Sequence, residues 1–543
     1  MSEQNTQLAL AREYILNTRH NIYLTGKAGT GKTTFLHGLQ QSPPKRMVVT
    51  APTGVAAINA RGVTLHSFFQ LPFGPFIPGT NVVPLRFSRE KINIIKSLEL
   101  LVIDEISMVR ADVLDAVDSV LRRYTRTNLP FGGVQLLMIG DLHQLSPVVK
   151  KEEQALLQQH YTAPYFFAST ALQATKFITI ELEHIYRQSD PHFIALLNRV
   201  RNNDIDLTTL AQLNARNLST RNLSNSTDPG NLPITLSTHN KSANSINNER
   251  LKAISNPEYR YEALVTGDYP EHAYPCGKTL VLKAGAQVMF ARNDRAREKR
   301  YYNGKIGVIT RFDDDYIWVQ CPQDTSLICV EIATWENIKY SIDPNSKEIT
   351  ETVVGSFTQY PLRLAWAITI HKAQGLTFDS VIIDADAAFA PGQIYVALSR
   401  CKTLQGITLS REIPASAIHT DAQVEQFSQY AQQHPPTPAD LQTAKIAYQQ
   451  ELIAQCFDFH GLSNDLNRLN KQLSQNAQVI QHSSSQPIAD VLQQVRKELV
   501  GVSEKFQSQL QSLYSTNEAP QDNAYIQERI QKASHYFSEK LNT

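Results

Sequence analysis

Asn21-Ile22-Tyr23-Leu24-Thr25-Gly26-Lys27-Ala28-Gly29-Thr30-Gly31-Lys32-Thr33 is the stretch whose reading decides the fold. It opens as a short apolar strand over 21–25, turns through glycines and enters a helix. From Gly26 to Thr33 the pattern G-x-x-x-x-G-K-S/T is complete, in the strand–turn–helix setting its chemistry needs. The glycines let backbone N–H groups curl around phosphate oxygens, and the helix N-terminus adds the positive end of its dipole. Lys32 is placed to reach the β and γ phosphates and Thr33 to ligate Mg²⁺. A chance glycine turn rarely satisfies every position, so the segment implies nucleoside triphosphate chemistry.

Working outward, the chain predicts further strands over 46–50, 100–103 and 134–139, alternating with helices. That alternation indicates a parallel α/β sheet with its site at the strand C-termini. Asp104-Glu105 follows the third strand. One carboxylate suits Mg²⁺, and the next suits positioning and deprotonating an attacking water. Two acids after a strand are a weak signal alone, because solvated strand ends are common; beside the Gly-rich loop they become specific. Gly140-Asp141-Leu142-His143-Gln144-Leu145 ends the fourth strand, where Gln144 is expected to sense the γ phosphate. Strands resume over 234–237, 366–370, 380–383 and 407–409, which predicts a second α/β domain. Phosphoryl transfer needs cations on the moving group. Arg187, in Ile185-Tyr186-Arg187-Gln188, and Arg400, after Tyr395-Val396-Ala397-Leu398-Ser399, are expected to enter from that second domain. By spacing alone each equals an ordinary surface arginine.

Residues 285–355 have another texture, rich in β-branched and aromatic residues and broken by Asn303-Gly304 and Asp313-Asp314-Asp315. They predict a small antiparallel barrel inserted in the second domain. The segment 71–88 carries Pro72, Pro75, Pro78 and Pro84 and predicts an irregular arm. After His434-Pro435-Pro436, Thr437 and Pro438 predict a helix N-cap and first helical position. Two amphipathic stripes follow, Leu462, Leu466, Leu469 and Leu473, then Leu492, Val495, Leu499, Val502 and Phe506. They predict a small antiparallel bundle, with a partner-recruiting coiled coil as the alternative.

The 543 residues suit three or four domains, and 42% hydrophobic with 19% charged residues predicts mostly folded globular protein. No apolar run is long enough to span a membrane, and Met1-Ser2-Glu3-Gln4 is not a basic and apolar leader. Five scattered cysteines without a CxxC pair argue against structural zinc and a disulfide framework. Net charge is +1, so any nucleic-acid binding rests on a local channel rather than bulk attraction.

The order of these blocks resembles superfamily 1 helicases, and within them the PIF family, the 5′-to-3′ branch that also holds the RecD-like enzymes. The resemblance runs to about Arg411. It rests on Thr25 to Thr34, Ala51-Pro52-Thr53-Gly54-Val55-Ala56-Ala57, Gly62-Val63-Thr64-Leu65-His66-Ser67-Phe68, Asp104-Glu105-Ile106-Ser107-Met108-Val109-Arg110, Tyr302-Asn303-Gly304 and His371-Lys372-Ala373-Gln374-Gly375-Leu376-Thr377. It implies two RecA-like domains, 1–183 and 184–284 with 356–430. The arm at about 71–88 would be a wedge, 285–355 a Src-homology-3-like barrel, and 438–543 an extra C-terminal helical domain.

The resemblance also implies an ATP-dependent DNA helicase moving 5′ to 3′ on single-stranded DNA and acting in genome maintenance. The alternatives are a loop-ATPase switch or a nuclease–helicase component without processive unwinding. Lys32, Thr33, Asp104, Glu105, Gln144, Arg187 and Arg400 would form the ATPase centre, the two arginines as fingers. Gly26, Ala28, Gly29, Thr30, Gly31, Thr34 and Gly375 would help hold ATP, with Gln7 reading adenine and Thr33 and Asp104 holding Mg²⁺. DNA would meet Pro52, Thr53, His66, Ser67, Phe68 and His143 from the first domain, and Thr238, His239, His371 and Lys372 from the second. Phe68 or the histidines are expected to stack on bases. His143 stands where the family often has an aromatic residue. The expected partners are single-stranded and forked DNA, with a protein partner for the C-terminal helices. A bacterial, cytoplasmic, nucleoid-associated monomer is expected, with no membrane attachment.

Overall fold

Every residue of the strand Asn21–Gly26 is buried, and so is every residue of Met47–Ala51, Leu100–Ile103 and Gln135–Ile139. Strands without a solvent face require cover on both sides, as parallel sheets have. In the computed structural model these segments are β1, β2, β4 and β5 of one parallel sheet, with β3 (Val63–Thr64) and β6 (Phe177–Leu182). The order is β3-β2-β4-β5-β1-β6. It sets the C-terminal ends of β4, β5 and β1 side by side, about 5 Å apart. The acid pair, Gly140-Asp141 and the Gly-rich loop therefore meet. One core, with Val48, Leu101, Leu136, Phe131 and Phe166, covers this sheet.

A second parallel sheet has the order β18-β7-β19-β20, from β7 (Ile234–Ser237), β18 (Ala367–Thr369), β19 (Val381–Ile383) and β20 (Ile407–Leu409). Its core includes Phe193, Leu197, Leu236, Ile370 and Val396. Between β7 and β18 the chain is antiparallel from Glu258 to Leu364, which encloses the expected 285–355 insertion. Strands β8 (Glu258–Glu262) and β10 (Thr279–Lys283) pair. So do β15 (Ala333–Ile342), β16 (Ile349–Gln359) and β9 (Leu264–Gly267). The five-stranded order β14-β13-β12-β11-β17 joins β11 (Gln287–Phe290), β12 (Ile306–Asp313), β13 (Tyr316–Gln320), β14 (Ile328–Val330) and β17 (Leu362–Leu364).

The structure describes residues 6–71, 74–78, 87–188, 190–217, 233–294, 296, 300–313, 316–322, 324–342, 349–384, 392–476, 487–514 and 518–542. Much of the expected arm lies outside them. Among the described residues no helix is long and apolar enough to cross a membrane.

The chain divides into two units. The first, residues 1–11 and 21–435, holds both parallel sheets. The second joins residues 12–20 to 436–543. Its helix Pro438–Cys456 starts at a capping box: Thr437 Oγ1 accepts the Asp440 N–H at 3.2 Å, and Asp440 accepts the Thr437 N–H at 2.8 Å. Lys445 pairs with Glu13 at 2.5 Å and Glu451 with Arg19 at 2.7 Å. Leu499, Phe506 and Leu510 join Phe457, Ile526 and Phe537 in one core, so the second apolar stripe packs as a bundle. The first stripe does not close in the same way: Leu462 is 40% and Leu469 42% exposed on the helix His460–Gln475.

Candidate active site

The Gly-rich loop leaves β1 at Gly26 and ends at Gly31, the cap of the helix Lys32–Gln41. Gly29 (φ +83°) and Gly31 (φ +91°) hold left-handed backbone that other residues adopt at a cost. At Gly29 space also decides: a Cβ there would collide with the Arg187 Cβ, and the Tyr186 N–H donates to the Gly29 carbonyl at 2.9 Å. Lys32 Nζ donates to the carbonyls of Gly26 (2.5 Å) and Lys27 (3.0 Å), and Thr30 Oγ1 to that of Lys27 at 2.9 Å. Burial lowers the Lys32 pKa, while Asp141 and Glu105 favour its charge. Its ammonium is thus under-solvated, a state that a phosphate would relieve.

Asp104 and Glu105 stand where β4 ends. Asp104 is 8% exposed, and its N–H donates to the Thr50 carbonyl at 2.9 Å. Burial pushes its carboxyl up to about 6. Burial, then the charge of Asp104, pushes Glu105 up to about 7. Glu105 also sits at φ +53°, which costs a non-glycine residue about 1 kcal/mol. A carboxyl poised near neutrality on a strained backbone is suited to proton transfer.

Arg400 comes to this place from the end of a helix packed in the second core, and Arg187 from the segment between β6 and the helix Pro191–Arg201. Arg187 Nη1 donates to the Ser399 carbonyl at 3.4 Å. Arg400 is 1% exposed; its Nε donates to the Val396 carbonyl (3.0 Å) and its Nη2 to Ser399 Oγ (3.0 Å). Burial, then the neighbouring Arg187, lowers Arg400 to about 9. Gln188 Nε2 braces the turn by donating to the Ser399 carbonyl at 3.2 Å. The helix Gln393–Ser399 also reaches the loop, where the Ala28 N–H donates to the Tyr395 hydroxyl at 3.2 Å.

These groups line one cavity of about 850 Å³. Ala28, Gly29, Thr30, Gly31, Lys32, Thr33, Thr34, Asp104, Glu105 and Gln144 meet Arg187, Gly375 and Arg400 there. Gly26 and Gln7 are not in the lining, whereas Leu8, next to Gln7, is. Lys32, Arg187, Arg400 and Lys402 lining one cavity with Asp104 and Glu105 suit a polyanion that brings its own divalent ion. The hydroxyl of Thr33 and the carboxylate of Asp104 are the hard oxygen donors that Mg²⁺ prefers.

The expected DNA contacts fare unevenly. Thr53 is exposed and caps the helix Gly54–Asn59, accepting the Ala56 N–H at 3.2 Å, with Pro52 half-buried beside it. Ser67 is exposed and His66 half-buried. Phe68 requires a correction: it is 3% exposed in the first core, edge-on to Phe69 at 4.8 Å, with the Lys91 ammonium 3.2 Å from its ring centre. Such a ring has no face for a base. His143 turns to Ser428 Oγ at 3.2 Å, and burial lowers it to about 4. Thr238 Oγ1 lies 2.7 Å from His239 Nδ1. Lys372 lines a small cleft with Val55 and Asn59, and His371 precedes it, half-buried. Burial lowers the pKa of His66, His371 and Lys372 alike.

Two side chains at the site escaped the motif reading. Tyr395 is the first. The second is Arg201, 5% exposed, whose Nη2 lies 3.2 Å from Asp141 Oδ1 and 3.4 Å from Glu181. Its signal was its place on the apolar face of the helix Pro191–Arg201, beside Phe193, Leu197 and Val200.

Comparison with known proteins agrees with this geometry. Residues 1–209 match the PIF1-like helicase family, 364–407 the UvrD-like helicase C-terminal domain, and 440–543 the DNA helicase middle domain. The chain is 30% identical to the ATP-dependent DNA helicase Pif1 of Campylobacter jejuni over 70% of its length and 86% of that protein. It is 34% identical to rat PIF1 over 75% of its length and 61% of that protein, so it spans about three fifths of the mammalian relative. A structure of Bacteroides Pif1 in complex with ADP-AlF4 matches with 41% identity and a TM-score of 0.73, over 79% of this chain and 96% of that one. Another, of Bacteroides Pif1 bound to single-stranded DNA, matches with 41% identity and a TM-score of 0.57, over 79% and 97%. The chain belongs to the PIF1-like helicase family.

Proposed function

We propose that this chain is an ATP-dependent DNA helicase that translocates 5′ to 3′ on single-stranded DNA and unwinds duplex or structured DNA in genome maintenance. One observation carries the reading: Arg400, which caps a helix packed in the second core, and Arg187 line the same cavity as Lys32, Asp104 and Glu105, which follow strands of the first sheet. A site divided in this way couples phosphate chemistry to the approach of two bodies.

In this reading the loop amides and Lys32 hold the phosphates of ATP. Glu105 takes a proton from the attacking water, and Gln144 aligns that water. Arg187 and Arg400 stabilise the charge that develops on the transferred phosphoryl group. Mg²⁺, held by Thr33 and Asp104, would supply charge neutralisation when bound. Pro52, Thr53, His66 and Ser67 from the first RecA-like domain (1–183), and Thr238, His239, His371 and Lys372 from the second (184–284 with 356–430), would hold the DNA strand. Such hydroxyl, amide and lysine contacts grip phosphates without reading sequence. Alternating grip by the two domains moves the protein along the strand. Relatives from bacteria, and a matching structure described as Pif1 helicases unwinding DNA at forked double-stranded DNA, support a cytoplasmic, nucleoid-associated role at forks. The half-exposed Leu462 and Leu469 support a protein-binding role for the helical domain 438–543.

The test is ATP turnover with and without single-stranded DNA, and unwinding of duplexes with 5′ or 3′ tails. DNA-stimulated turnover and unwinding from the 5′ tail are expected. Unwinding only from the 3′ tail, or turnover indifferent to DNA, overturns the reading.

A further inference from the structure

Arg201 makes an expensive interaction. Its guanidinium is buried, and its Nε has no hydrogen-bond partner. A buried ion pair is often no more stabilising than well-packed apolar side chains of the same volume. Stability alone is therefore a poor account of an arginine at the end of the row Phe193, Leu197 and Val200.

Its position offers a better one. Asp141, 1% exposed at the end of β5, distributes its two oxygens among three donors. Oδ1 accepts from Arg201 Nη2 (3.2 Å) and from the His143 N–H (3.2 Å); Oδ2 accepts from Gln144 Nε2 (3.1 Å). Burial opposes the charge on Asp141, but Arg201, His143 and Lys32 outweigh it and hold the group at about 2. A carboxylate that only accepts dictates which end of the Gln144 amide faces it. Gln144 in turn lines the cavity with Lys32 and Glu105. The pair also crosses between bodies, since Asp141 extends a strand of the first sheet while the apolar neighbours of Arg201 belong to the second core.

We propose that Arg201 is a positioning residue for ATP hydrolysis: through Asp141 it sets the side chain of Gln144, and it does so only while the second core is docked on the first. Removing it leaves Asp141 with only the His143 N–H and Gln144 Nε2 as donors and loosens the hold on Gln144, with the loop, Lys32 and the acid pair in place. The inference rests on the ATPase reading above.

The experiment measures kcat and KM for ATP in the full chain with saturating single-stranded DNA. The variants are Arg201→Met, Arg201→Lys, Gln144→Ala, Asp141→Asn and the doubles of Arg201→Met and Asp141→Asn with Gln144→Ala. Arg201→Met is expected to lower kcat about 10- to 100-fold with KM within about threefold, and Arg201→Lys to fall between it and wild type. In the Gln144→Ala background neither Arg201→Met nor Asp141→Asn should cost anything further, because the path is already cut. Multiplicative losses in the doubles, an unchanged kcat, or a rise in KM alone would overturn the inference. Should Arg201→Met fail to fold, Arg201→Lys, alone and in the Gln144→Ala background, decides in its place. A wild-type chain without Lys32-dependent turnover would sink the ATPase reading instead, so the two failures are distinguishable.

Discussion

The Ala28 amide donates to the Tyr395 hydroxyl at 3.2 Å, which ties the phosphate loop to the helix that leads into Arg400. Both residues are buried, Tyr395 at 4% and Ala28 at 7% exposed. Tyr395→Phe should leave the amide without its acceptor and cost about 1–3 kcal/mol, read as a lower urea midpoint at unchanged slope. A midpoint equal to wild type would show that the bond is idle.

Turnover should depend on pH through Glu105. Its carboxyl is pushed up to about 7, first by burial and then by Asp104, and Asp104 itself lies at about 6. Only the deprotonated form accepts a proton from water, and that form gains population as pH rises through each value. The kcat should therefore climb between about pH 6 and 7 and level off above about 8. A flat profile from about pH 5.5 to 8.5 would remove Glu105 from the role of base.

The three cations should fail in different ways. Lys32→Ala is expected to lower ATP turnover at least about a hundredfold. Arg187→Ala and Arg400→Ala should each cost about a thousandfold in kcat. Binding of single-stranded DNA in all three variants should stay within a few-fold of wild type, as fluorescence anisotropy would show at fixed salt. Normal turnover in either arginine variant would take that arginine out of the site.

Gly29→Ala should be severe for so small a change. The position holds φ +83°, and the added methyl would meet the Arg187 Cβ, which the Tyr186–Gly29 hydrogen bond keeps near. Strain alone should exceed about 1 kcal/mol, and displacement of Arg187 should remove most turnover. Calorimetry with an ATPase assay checks both; wild-type kcat in a folded variant would contradict the close approach.

In the helical unit, Phe506 is 7% exposed with its ring centre 5.0 Å from that of Phe457. Phe506→Ala should destabilise this unit by about 3–5 kcal/mol. Protease cleavage after residue 436 should accelerate accordingly, and unchanged protection would mean that the ring is not a core element.

Much of this protein was decided locally. A Gly-rich turn between a strand and a helix, and an acid pair after an apolar strand, depend on neighbours a few residues away. Gly26 to Thr33 and Asp104-Glu105 are therefore legible in one dimension, and so is the parallel sheet that follows from buried β1, β4 and β5. The capping box of Thr437 and Asp440 is equally local. What tertiary structure decided concerns partners distant in the chain. Phe68 is itself a candidate DNA contact in sequence, yet its ring is buried in the first core, with Phe69 and Lys91 packed against it. Leu462 and Leu492 share the same helical period, but only Leu492 is buried. Arg187, Arg201 and Arg400 have the composition of surface arginines; tertiary packing puts Arg187 and Arg400 near Glu105 and Arg201 beside Asp141. Periodicity records which face of an element is apolar, whereas a charge buried at a site is specified by what arrives opposite it.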